Sequence, residues 1–305
     1  MPNKAKLDGI ICAAVTPVDA EFRINVPALA HHCRRVLDQG CSHVSVFGTT
    51  GEGASLAAAE KIDAVHRLVE GGIPAARQVP AVMSPVLTDA AEMLAGVEAA
   101  GCRAALVLPP FYYPDPGKTG MLAFFDALLD RAASTGIDLV LYNIPRLSRI
   151  SYTPELVEAL LDRFGTRIVG IKDSTGDLDN SRTLARSFPD LAVFTGDDRV
   201  MPDLRLAGGA GMIGGMPNLF AADALAVLDA PDAPETAGLR HAAARRIEIV
   251  DGNGGIPALK AMLARQYRDP DWARTIPPVP PLDTAVEGAV VAALAKTGYD
   301  PDTAA

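Results

Sequence analysis

Eight short apolar runs, each followed by a stretch with helical signals, constrain this chain more than any other feature. They cover residues 10–16, 44–47, 79–83, 104–108, 139–143, 168–172, 192–195 and 211–214. The runs are continuous rather than alternating in polarity, which is the pattern of parallel strands buried on both faces. The segments between them carry helix-start signals: Thr88 ahead of Asp89-Ala-Ala-Glu-Met-Leu, and Thr153 with Pro154 at the first helical position. Strand then helix, eight times over, is the count of a closed (β/α)8 TIM barrel, expected here over residues 1–220. An open doubly wound α/β sheet is the alternative. Beyond the eighth run the strands stop, and 221–229, 235–251, 255–265 and 284–297 read as helices. They predict a C-terminal helical extension over 221–305, packed on the barrel. Four prolines in Ile276-Pro-Pro-Val-Pro-Pro-Leu282 offer no amide donor, so this stretch is expected to be an extended connector.

Composition narrows the partners. A net charge of −9, with no basic run longer than two, argues against nucleic acid and for a small molecule. No apolar stretch reaches the roughly 18 to 20 residues of a membrane span, and residues 1–8 lack the apolar centre of a signal peptide. A cytoplasmic protein without a membrane partner is expected. Cys12, Cys33, Cys41 and Cys102 show no CxxC spacing and read as reduced, buried thiols. The histidines show no ligand spacing, and there is no GxGxxG, P-loop or HExxH, so neither a metal nor a dinucleotide is implied.

In a barrel of this kind the chemistry sits at the C-terminal ends of the strands. Lys172 closes the apolar run Ile168-Val-Gly-Ile171. Desolvation of a lysine favours its neutral amine, the form that attacks a carbonyl to give a Schiff base; the plain alternative is an ion pair with Asp173 or Asp197. Tyr142 ends the preceding run, where its phenol could carry protons or simply pack. Gly48-Thr-Thr-Gly-Glu52 offers hydroxyls and amides suited to a carboxylate, or else a capped helix start. The glycines of 208–215 suit close packing or a phosphate.

Together, GTTGE at 48–52, PPFYYP at 109–114, YNIP at 142–145, GIKDSTGD at 170–177 and GGAGMIGG at 208–215 resemble the dihydrodipicolinate synthase / N-acetylneuraminate lyase family, in order and spacing. The resemblance implies a class I aldolase without metal or organic cofactor, assembled as a homotetramer, a dimer of dimers. By it, Lys172 forms the Schiff base with pyruvate or another 2-keto acid, and Tyr142 relays protons together with Thr50. Thr49 and Thr50 hold the pyruvate carboxylate, and Ile213 lines the pocket close to Gly196. Tyr112, or Tyr113 at the next register, is the tyrosine that enters the neighbouring subunit's site.

One departure bears on the second substrate, an aldehyde. Where synthases of the family place an arginine for the aldehyde's carboxylate, two residues after the proline of YNIP, this chain has Leu147, between Arg146 and Ser148. That favours a lyase or aldolase acting on a 2-keto-3-deoxy sugar acid. The alternative is a dihydrodipicolinate synthase condensing pyruvate with aspartate semialdehyde, and a remote one is a non-catalytic keto-acid binder. A second departure is Met83-Ser-Pro85, where relatives have a glycine-rich turn.

Overall fold

The computed structural model describes residues 6–133 and 136–302. The eight runs form strands β1 (Gly9–Ala13), β2 (His43–Ser45), β3 (Ala81–Val82), β4 (Ala104–Val107), β5 (Asp138–Asn143), β6 (Ile168–Asp173), β7 (Ala192–Thr195) and β8 (Gly211–Gly214). They lie in the order β2-β1-β8-β7-β6-β5-β4-β3, and every pairing is parallel. The seam between β2 and β3 is drawn together by amide donors: Val79 N–H to the Val44 carbonyl at 2.8 Å and Ala81 N–H to the Val46 carbonyl at 2.9 Å. With helices between successive strands, this is a TIM barrel and not an open sheet.

Side chains on a strand alternate between its two faces. On β5, Leu139 and Leu141 pack toward the surrounding helices, whereas Val140 and Tyr142 fill the barrel interior. The register shifts once between β5 and β6: Leu139 lies opposite Ile168 but Val140 lies opposite Gly170. Val169 is the extra residue of a β-bulge. Because of it, Ile168 faces the helices while Tyr142 meets Lys172 directly across the ladder.

Helix starts follow local chemistry. Thr153 caps the helix Pro154–Phe164, its side chain accepting the Leu156 N–H at 3.4 Å. Thr88 is not a cap. The helix Leu87–Ala99 begins before it, and the Ser84 hydroxyl instead holds the entry by accepting the Val86 N–H at 3.1 Å. Beyond β8, helices run over Pro217–Asp229, Ala237–Gly252, Ile256–Tyr267 and Thr284–Ala295. Residue 220 is a kink within the first of these, with Phe220 at φ −129 and ψ 36. The later helices build a second core around Ile247, Met262, Trp272 and Leu294, which reaches the barrel at Val15. The proline-rich connector does not run extended: Pro277 and Pro278 occupy a turn closed by the Val279 N–H on the Ile276 carbonyl at 3.0 Å. All four cysteines are free and buried. Among the described residues no helix is long and apolar enough to cross a membrane.

Candidate active site

The C-terminal ends of β5 and β6 bring together two of the residues singled out above. Lys172 Nζ donates to the Tyr142 hydroxyl at 3.2 Å and lies 4.3 Å from the centre of its ring. The same hydroxyl is 3.0 Å from Thr49 Oγ1, so amine, phenol and threonine form one chain of contacts. Both residues are deeply placed, Lys172 at 5% and Tyr142 at 1% exposure. Neither carboxylate weighed as a partner for Lys172 engages it. Asp173 accepts from Asn143, Asn180 and Ser181 at 3.0, 2.8 and 2.7 Å, and Asp197 is gripped by Arg199 at 2.6 Å. Gly196 leaves room beside the amine, since a Cβ there would stand 3.5 Å from Lys172 Cε and 2.6 Å from Ser174 Oγ. Ile213 is fully buried in the same interior cluster as Tyr142.

The 48–53 turn is tightly specified. A Cβ on Gly53 would sit 1.7 Å from the Phe47 carbonyl oxygen, so only glycine fits. Phe47 and Glu52 both adopt left-handed backbone, at φ 63 and 54, which L-residues rarely do. Inside the turn the Glu52 N–H donates to the Thr49 carbonyl and the Gly53 N–H to the Gly48 carbonyl, each at 3.0 Å. The amides of Thr49, Thr50 and Gly51 donate to no other group among the described residues, leaving three successive N–H groups for an anion. Thr50 faces β8, where a Cβ on Gly215 would come 3.2 Å from its hydroxyl. The hydroxyl in contact with Tyr142 is therefore that of Thr49 rather than Thr50, because consecutive residues of the turn point apart.

Three buried side chains outside the turn hold it. Thr16 donates to the Gly51 carbonyl at 2.7 Å, and Lys61 Nζ to the carbonyls of Gly53 at 2.8 Å and Met83 at 3.1 Å. Lys260 forms an ion pair with Glu52, whose other oxygen accepts the Ile276 N–H at 2.6 Å. Burial pulls the Lys61 ammonium down to about 8. Burial also lowers that of Lys260, with the Glu52 carboxylate opposing the fall. Sequence reasoning passed over both lysines, since they sit in amphipathic helical stretches where lysine ordinarily faces water.

Around the mouth the groups are charged and more open. Leu147, on the short helix Pro145–Ser148, is 53% exposed, and Arg146 and Arg149 beside it are exposed too. Partial burial and then the charge of Asp197 raise the Asp251 carboxyl, while Arg199 and Arg146 oppose them. Asp198 is buried with one carboxylate oxygen lacking a partner, and burial, followed by the Asp197 charge, pushes it up to about 7. Tyr112, at φ 90, and Tyr113 are 81% and 77% exposed, and their rings meet edge to face at 5.3 Å. The glycines at 208–211 lie at the opposite end, where β8 begins. A Cβ on Gly209 would strike Leu204 at 2.4 Å and one on Gly211 the Gly9 carbonyl at 2.2 Å, so they serve packing and not a phosphate at the mouth. No group of three His, Cys, Asp or Glu side chains among the described residues could hold a metal ion.

Known proteins share this fold. An uncharacterized DapA-like lyase of Chloroflexus aurantiacus is 33% identical over 276 residues, covering 89% of this chain and 91% of that protein. The crystal structure of dihydrodipicolinate synthase from Agrobacterium tumefaciens superposes with a TM-score of 0.88 at 27% identity, over 95% of this chain and 99% of the other. A variant of Sulfolobus solfataricus 2-keto-3-deoxygluconate aldolase shares the fold at a TM-score of 0.84 and 20% identity, over 95% and 96% of the two chains. Residues 6–294 match the dihydrodipicolinate synthetase family. The chain belongs to that family, a family of pyruvate aldolases.

Proposed function

We propose that this protein is a Schiff-base-forming pyruvate aldolase or lyase that makes or cleaves a 2-keto-3-deoxy acid. The observation that carries the reading is the buried Lys172–Tyr142–Thr49 chain, in which the amine meets a phenol and no carboxylate. The neutral amine of Lys172 adds to the keto carbon while a proton passes to the keto oxygen, giving a carbinolamine. Tyr142 returns a proton to that hydroxyl as it leaves as water, and a protonated imine remains. Loss of a proton from the adjacent carbon gives an enamine, which attacks the aldehyde carbonyl; the carbon–carbon bond forms as the aldehyde oxygen takes up a proton and the nitrogen returns to the protonated imine. Water then releases the product from Lys172, and cleavage runs the same steps backward. The free amides of 49–51 and the Thr50 hydroxyl suit the carboxylate of the keto acid. Gly196 and Ile213 shape the space beside the imine.

Leu147 supports the choice of aldehyde, because it places no charge where a carboxylate-bearing acceptor would need one. Tyr112 is assigned to a neighbouring subunit's site within a homotetramer, consistent with its exposure on an apolar loop. The same reading takes the protein to be cytoplasmic and free of metal and organic cofactor. Incubation with pyruvate and borohydride should add a reduced pyruvyl group to the tryptic peptide containing Lys172. Labelling elsewhere, or none, refutes the assignment. Comparison of kcat/KM for aspartate semialdehyde condensation with that for cleavage of 2-keto-3-deoxygluconate and N-acetylneuraminate then tests the substrate class.

A further inference from the structure

The Glu52–Lys260 pair is the most deeply buried charge pair among the described residues, and it joins groups 208 positions apart in the chain. Glu52 belongs to the 48–53 turn, whereas Lys260 lies on the helix Ile256–Tyr267 of the C-terminal extension. The second Glu52 oxygen takes the Ile276 N–H, so one carboxylate ties the turn to two separate segments of the extension. Stability is a weak explanation for such a pair, since well-packed apolar side chains often fold as well as a buried ion pair. Conformation is a better one. Glu52 is held at φ 54, and its N–H closes the turn onto the Thr49 carbonyl. Moving Glu52 therefore moves Thr49, whose hydroxyl touches Tyr142.

We propose that Lys260 is a positioning residue: through Glu52 it sets the Thr49-Thr50-Gly51 turn, so that the helical extension, and not the barrel alone, fixes the end of the site that holds the substrate's carboxylate. The inference rests on the reading of that turn as the pyruvate-holding element. Lys260 touches no reacting atom and acts only by placing the three amides and two hydroxyls of 49–51.

The test is the pyruvate concentration that gives half-maximal borohydride labelling of Lys172, measured on the full chain. The double variant Glu52→Gln with Lys260→Met removes both charges, keeps an acceptor for the Ile276 N–H, and leaves no buried ion unpaired. Its half-maximal pyruvate concentration should rise about tenfold, the loss expected when several charge-assisted hydrogen bonds are misaimed, with labelling still complete at saturation. Glu52→Gln alone, in which the Lys260 amine can shed its proton, should shift the same way. Arg246→Met serves as the comparison: it removes another buried cation of the extension, bound to Asp223 and Thr297, and should lower Tm without moving the pyruvate midpoint.

A folded double variant with a midpoint within twofold of the parent overturns the proposal. An equal rise in Arg246→Met overturns it too, because any loosening of the extension would then suffice. Failure of both Glu52 variants to fold makes the pair purely structural. An unlabelled parent refutes the Lys172 reading itself and takes this inference with it, whereas a labelled parent with an unshifted variant refutes only the inference.

Discussion

Replacing Tyr142 with phenylalanine removes a single oxygen atom and leaves the ring in the barrel interior. That oxygen meets Lys172 Nζ at 3.2 Å and Thr49 Oγ1 at 3.0 Å, so two contacts disappear together. Each ordinary hydrogen bond contributes about 0.5–1.5 kcal/mol to stability, so folding should weaken by roughly 1–3 kcal/mol at most. Turnover should suffer far more. A positioned proton carrier is worth on the order of 10² to 10⁴ in rate, or about 2.7–5.4 kcal/mol at 1.36 kcal/mol per decade. The contrast between a modest stability loss and a large rate loss identifies a catalytic hydroxyl. Urea unfolding supplies the first quantity, and steady-state kcat at saturating 2-keto-3-deoxy acid supplies the second. Phenylalanine at 142 with kcat within about threefold of the parent would make Tyr142 a packing residue, because no proton carrier is lost that cheaply.

The two threonines of the turn should separate in kinetics. Thr49→Val, which removes the contact with Tyr142, lowers kcat about tenfold or more, while Thr50→Val chiefly raises KM for the keto acid; identical effects would contradict the division. Leu147→Arg should raise kcat/KM for aspartate semialdehyde relative to neutral aldehydes by about tenfold or more, and no change would show that the acceptor does not pass this residue. Asp198 supplies a pH dependence. Its carboxyl is raised from 3.8 to about 7, so its contribution to stability is full below 3.8 and is lost as pH rises through about 7. Asp198→Asn should therefore flatten the fall in unfolding free energy between pH 5 and about 7.5, and parallel curves for parent and variant would refute this.

The barrel was legible in the sequence because its signal is local. Each strand is a short apolar run whose burial is decided by its own residues, and Thr153-Pro154 announces a helix with atoms a few positions apart. Lys172 and Tyr142 were visible for the same reason, as polar residues at the ends of apolar runs. What stayed hidden depends on direction or distance. Nothing in the pair Thr49-Thr50 says which hydroxyl turns toward Tyr142; that follows from the left-handed residues around the turn. The Glu52–Lys260 pair joins sites too far apart for any spacing rule. The glycines at 208–211 suited either packing or a phosphate by composition, and only the position of β8, which begins there rather than ends, separates the two. The proline-rich connector bends because its prolines sit within a turn, which counting missing donors could not foresee.

The bulge at Val169 has a consequence for changes of length in β6. Four positions separate Ile168, facing the helices, from Lys172, facing the interior, and strict alternation would put both on the same side. The extra residue is a phase shift that lets the entrance and the end of the strand be oriented independently. Deleting Val169 would leave a regular strand with Ile168 still outward and the lysine still inward. Deleting Gly170 or Ile171 instead would leave the same three steps from Ile168 to Lys172 and the same two directions, because losing any one of the intervening residues removes the bulge. The direction of Lys172 is thus set by its pairing with Tyr142 beyond the bulge, and the bulge absorbs one residue of length in β6 without turning the amine.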